Sequence, residues 1–147
     1  MLKYFLILLL LPGWLCGAPK VFDLALPQKK FIKLSVFERA QYKKAYALVK
    51  KGNFKAAIDE FEKFKQQHPD NSQMAYVVFM KAYCLHQAKQ RNKAVKVYNE
   101  VLDYFGEDIL YAGASLYYMA QAHFDNGDIK AGLTAFKEMA EDEDYQK

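Results

Sequence analysis

The sequence predicts an all-α fold, a short right-handed superhelix of three helix-turn-helix repeats, and three observations carry that prediction. Apolar residues return at steps of three and four in successive segments: Ala45, Leu48 and Val49, then Phe54, Ala57, Ile58, Phe61 and Phe64. That is the spacing of one helix face. Turn signals divide the segments, with Gly52-Asn53 between the first two and Pro69 closing the second. The whole pattern then recurs: aligning Ala57 with Ala94 and Gly132 gives repeat intervals of 37 and 38 residues. A single helical hairpin cannot bury its own apolar face, so repetition is what a stable chain of this kind requires. With 147 residues, 52% of them hydrophobic and 16% aromatic, the chain has material for one well-packed core rather than a disordered tract.

The elements follow in order. Residues 1–17 read as a secretory signal peptide, with Lys3, an apolar run from Tyr4 to Leu11, and small residues at Gly17-Ala18. The run is shorter than the roughly 20 residues of a transmembrane helix. Cleavage after Ala18 places Pro19 directly behind the cut, and cleavage after Gly17 leaves Leu15 three residues back. Lipid attachment at Cys16 and retention as an uncleaved anchor are the alternatives, although Gly13-Trp14-Leu15 is unlike the Leu-Ala-Gly approach to a lipoprotein cysteine. Residues 18–35 form a lead-in in which Pro19 and Pro27 exclude one continuous helix. Phe31-Ile32-Lys33-Leu34 is expected there as a strand or extended arm packed over the first hairpin.

Residues 36–147 constitute the repeat domain, with repeats at about 38–71, 75–108 and 113–147 and helices over about 36–51, 54–67, 72–88, 91–104, 109–126 and 129–141. Ser35 with Glu38 makes a capping-box pattern for the first helix. Asn71 and Ser72 can cap the third, and Asp128 the sixth. Gly52 and Gly127 supply left-handed helix ends, Pro69 stops the second helix and Gly106 the fourth.

The repeats resemble the tetratricopeptide repeat family, in particular the longer units of bacterial envelope proteins such as outer-membrane assembly and Tol-Pal-associated factors. The resemblance covers about residues 38–141 and rests on Ala45, Ala82 and Ala120, the turn glycines Gly52 and Gly127, Ala57 and Ala94, and the aromatics Phe61, Tyr98 and Phe136. The departures are Lys89 at the second unit's turn, Gly132 in place of the second-helix alanine, and a closing proline in the first unit alone.

The resemblance implies a concave face built by the first helix of each pair. Its groove positions fall on Arg39, Tyr42, Tyr46, Val49 and Lys50, on Tyr76, Phe79, Tyr83, His86 and Gln87, and on Ala114, Tyr117, Gln121, Phe124 and Asp125. Seven of these are aromatic, and tyrosine suits recognition because it joins a large apolar body to a polar edge. The same rings could instead fill space between helices, the usual fate of an aromatic stripe at helical spacing. The expected partner-binding set is Arg39, Tyr42, Tyr46, Lys50, Tyr76, Phe79, Tyr83, His86, Tyr117, Gln121 and Phe124, with Arg39 and Lys50 selecting partner charge.

Charge is unevenly spread. Residues 18–69 hold 12 Lys/Arg against 5 Asp/Glu, and residues 70–147 hold 8 against 12. Solvated helix faces account for this, as does electrostatic guidance of an anionic partner or head-to-tail self-contact. The basic residues are scattered and form no nucleic-acid module. His68, His86 and His123 sit in different units without metal-ligand spacing, so neither a metal nor a cofactor is expected. His68 is expected at the last carbonyls of its helix, His86 in the groove and His123 inside. Cys84 is expected as a small packed residue. The sequence has no phosphate loop or nucleophile elbow, and the acidic run Glu141–Asp144 lacks the ligand spacing of a calcium loop.

The expectation is therefore a non-enzymatic protein-interaction scaffold, periplasmic or secreted, possessing an aromatic groove for a protein or peptide partner. A self-assembling structural envelope protein is the alternative, because Ile129, Leu133, Phe136 and Met139 lack a following helix to cover them and terminal repeats need a solvating cap. A binding module for envelope glycans or lipids is a third reading.

Overall fold

The computed structural model describes residues 23–146. The leader of residues 1–17, Cys16 and the opening of the lead-in lie outside the described residues, as does Lys147. Six long helices form three antiparallel pairs: α2 (Val36–Lys50) with α3 (Phe54–Gln67), α4 (Met74–Gln87) with α5 (Arg91–Phe105), and α6 (Ile109–Asp125) with α7 (Ile129–Glu141). A one-turn helix, α1 (Gln28–Phe31), precedes them and a 3-10 turn (Glu143–Gln146) follows. Each long helix packs on the next in sequence, and α4 also meets α6, which is the serial stacking of a TPR-like array.

Local chemistry explains where the helices begin and end. Ser35 accepts the Glu38 amide while the Glu38 carboxylate takes the Ser35 amide at 2.6 Å, completing the capping box of α2. Asp128 caps α7 by accepting from the Ala131 amide at 3.1 Å. Asn71 acts one step earlier than expected. Its side chain accepts from the Gln73 amide at 2.8 Å and stabilises a turn through Ser72, so α4 starts at Met74 rather than 72.

The three hairpin turns share one backbone pattern. At the first, Gly52 N–H bonds Val49 O and Asn53 N–H bonds Leu48 O, both at 2.9 Å. Lys89 and Gln90 repeat this on His86 and Leu85, as Gly127 and Asp128 do on Phe124 and His123. This is the Schellman arrangement, which needs a left-handed residue after the helix. Gly52 (φ +71°), Lys89 (φ +61°) and Gly127 (φ +79°) all supply it. Gly106 ends α5 differently, in right-handed conformation.

The core runs through the middle pair. α4 is buried on nearly all sides, from Met74 through His86, because α3, α5 and α6 surround it. The repeat aromatics Phe61 and Tyr98 are sealed between helices, each worth roughly 1.5–3 kcal/mol of burial. Cys84 is fully buried in α4 as expected, and loss of solvation pushes its thiol up to about 12, which keeps it protonated and inert.

The lead-in corrects one expectation. Phe31-Ile32-Lys33-Leu34 is not a strand: the chain bends at Ala25 and is non-helical to Pro27, whose carbonyl accepts from the Lys30 and Phe31 amides and starts α1. Among the described residues no strand exists for it to pair with, and an isolated strand leaves its backbone groups unmatched. The segment does pack on the first hairpin. Leu26 and Leu34 are buried against Tyr42 of α2, Phe61 and Phe64 of α3 and Tyr76 of α4, leaving about 10 Å³ unfilled.

Candidate protein-interaction groove

The first helices of the three pairs, α2, α4 and α6, carry the expected groove positions. At the α2 end, Tyr42 stacks on Tyr46 with ring centres 5.7 Å apart and planes within 8°. Lys50 places its ammonium 5.5 Å from the Tyr46 ring centre, a cation–π contact at an exposed site. On α4, Tyr83 sets its edge against Phe54 and against Tyr118 of α6, the latter at 5.4 Å. Tyr118 in turn meets Tyr117 edge-on at 5.2 Å. A row of half-buried tyrosines thus crosses three helices: Tyr42, Tyr46, Tyr83, Tyr118 and Tyr117. Desolvation raises the hydroxyl pKa values of Tyr46, Tyr83 and Tyr118, the last to about 12, so these three hydroxyls stay protonated at neutral pH.

Other expected residues prove to be structural. Phe79 is 0% exposed, packed among Tyr98, Tyr111 and Tyr118, and Tyr76 is 1% exposed. Phe79 lies beneath Tyr111 and Tyr118 of α6, while Tyr76 is covered by Tyr111 and by the lead-in at Leu24 and Leu26, so with the lead-in seated neither offers surface to a partner. His86 is also buried rather than lining the groove; its Nε2 lies 3.0 Å from the Asp125 carboxylate. That hydrogen bond holds the Asp125 carboxyl below its ordinary range. The Arg39 guanidinium is engaged within the chain, donating to the Leu34 and Ile32 carbonyls at 2.8 Å each. Phe124 lies against Phe136 of α7, with Gln121 partly exposed on the preceding turn. Val49 and Ala114 are buried and Gln87 is exposed.

The remaining histidines are tied to neighbours. His68 contacts α2 rather than the last carbonyls of α3, with Nε2 2.8 Å from Gln41 Oε1 and its ring against Phe64 and Phe37. His123 is partly exposed rather than interior, with Nδ1 3.9 Å from Asp128.

Sequence reasoning passed over Tyr111, Tyr118 and Asp108. Tyr111, Tyr118 and Asp125 recur every seven residues on α6, a signal for one shared face of which the family's groove positions include only Asp125. Among the described residues no cluster of His, Cys, Asp and Glu could hold a metal ion, and no helix is long and apolar enough to cross a membrane.

Fold and surface together define a helical-repeat protein of the TPR-like class, with aromatic side chains along the first helices of its pairs. The family model described as "YfiO: Outer membrane lipoprotein" matches residues 22–141, and the chain belongs to that family. Membership associates it with the bacterial cell envelope and with protein–protein interaction. No curated protein and no solved structure matches the chain.

Proposed function

We propose that the protein is a non-enzymatic scaffold of envelope assembly, holding a segment of a protein partner across the tyrosine row. The observation that carries this reading is the state of Tyr46, Tyr83 and Tyr117. Each ring body is fixed by aromatic neighbours while part of each residue stays accessible. Rigid rings lose little entropy on binding, and burying their remaining apolar surface with a satisfied hydroxyl is what recognition hot spots do. Lys50 beside Tyr46 favours a partner with an acidic group at that end, and Gln121 supplies an adaptable polar contact. The periplasmic placement is supported by the family match and by the apolar leader, and the family's lipoprotein character supports Cys16 as the residue carrying lipid.

One experiment addresses both parts. Affinity capture from native envelopes with Tyr46→Ala, Tyr83→Ala and Tyr117→Ala combined should lose most of the partner recovered by the unaltered chain, with the helical circular dichroism retained. Cys16→Ser in the same cells should move the protein from the membrane to the soluble fraction. Undiminished capture by the folded triple variant removes the row from the account. Self-assembly is a second reading, favoured by the exposure of Ile129 and Leu133 on α7 at 56% and 59%.

A further inference from the structure

The lead-in is seated on the face where a partner was expected. The Leu26 amide donates to the Tyr42 hydroxyl and the Tyr76 hydroxyl donates to the Leu24 carbonyl, each at 2.9 Å. Both bonds go to main chain, so they recognise a segment of this shape whatever its side chains. Leu26 is buried between α2, α3 and α4. Four residues on, the Lys30 ammonium sits 2.5 Å from the Asp108 carboxylate and 4.5 Å from the centre of the Tyr111 ring. A carboxylate beside an aromatic face is a cation subsite.

We propose that residues 23–34 are a displaceable strap, and that the trough beneath it, formed by Tyr42, Tyr76, Tyr111 and Asp108, binds a partner's segment of the same chemistry and shape, a short non-helical stretch running into one helical turn. That segment carries a leucine-like anchor followed four positions later by lysine or arginine. The inference rests on the scaffold reading of the concave face but concerns a different stretch of it from Tyr46, Tyr83 and Tyr117.

Two features make the strap the element that moves. Its helix α1 buries none of its own residues and spans a single turn, which is too short to persist unaided. Its far end is clasped by Arg39 on the Ile32 and Leu34 carbonyls, just before α2 begins, which provides a hinge. Lifting the strap bares the Tyr76 hydroxyl and the leucine site together, and an equivalent segment that replaces it restores both the main-chain bond and the apolar burial. Release of the strap and capture of the partner are therefore one exchange, and an occupied trough lowers the apparent affinity by the fraction of molecules whose strap is open.

The test uses the full chain and a fluorescein-labelled peptide of residues 23–34, followed by fluorescence anisotropy. Lys30→Glu in the chain sets two carboxylates together and loosens the strap without altering the trough. It should bind the peptide about tenfold more tightly than the unaltered chain does. The same variant should speed hydrogen exchange at the Leu26 amide to a similar degree. Lys30→Glu with Asp108→Lys restores an ion pair and should return the exchange rate of the Leu26 amide toward the unaltered value. Equal peptide affinity for the unaltered and Lys30→Glu chains, including no binding to either, overturns the proposal. Tyr83→Ala with Tyr117→Ala, whose ring partners are Phe54, Tyr118 and Phe136 rather than trough residues, should leave peptide affinity unchanged, so loss of partner capture and loss of strap exchange are read separately.

Discussion

Lys89 occupies the one turn where the repeat lacks its glycine, and it adopts φ +61° to do so. For an L-residue with a side chain that conformation costs roughly 1–2 kcal/mol, because Cβ crowds the following carbonyl. The turn nevertheless keeps both Schellman bonds, at 2.9 Å each, so the packing of α4 on α5 outweighs the local strain. Lys89→Gly should remove the strain while adding about 0.4–1 kcal/mol of unfolded-chain freedom, for a net gain of about 0.5–1 kcal/mol. Urea unfolding should show a higher midpoint at unchanged slope; a lower midpoint rejects the account. The glycines themselves were legible, since Gly52 and Gly127 fall where a helix must end. Burial of Phe79 and His86 was not, because a groove position and a packing position look alike until the neighbouring helix is placed. Both meet α6: Tyr111 and Tyr118 pack on Phe79, and Asp125 pairs with His86.

At the scale of elements, the helices were readable because period and caps agree: α3 and α7 begin and end where the pattern of apolar residues and turn signals places them. The strap was not readable, since it has no period of its own and takes its shape from Tyr42, Tyr76 and Asp108 across the fold. The departure at Gly132 acquires a reason from the α6–α7 contact. A Cβ on Gly132 would stand 2.5 Å from the Phe124 ring, so the missing methyl leaves room for that ring against Phe136. Gly132→Ala gains up to about 1 kcal/mol of helix propensity yet overpacks the contact by about 1–3 kcal/mol, a net loss. With Phe124→Ala already in place the ring is gone, and the same substitution should stabilise by about 0.5–1 kcal/mol. A double-mutant cycle in chemical denaturation measures the reversal, and identical effects in both backgrounds would show that the ring does not dictate the glycine.

Across the whole molecule, the two ends of the stack differ in charge and share exposed apolar residues. The α2 end shows Val36 and Phe37, 82% and 62% exposed, on the helix that also carries Lys43 and Lys44. The α7 end shows Ile129 and Leu133 with Glu138 and the acidic run from Glu141 to Asp144. The final turn folds back, and the Tyr145 ring lies 3.2 Å from where a Gly113 Cβ would stand, but Ile129 and Leu133 stay bare. A second copy is the occupant that opposite charge at opposite ends favours. Its contact would be heterologous, tail on head, and would extend rather than close. Sedimentation velocity should then show a weight-average coefficient that rises with concentration. Leu133→Glu should abolish the rise, and about 0.5 M salt should reduce it by screening the charges around the contact. A single slow species at every concentration rejects the tail-on-head contact.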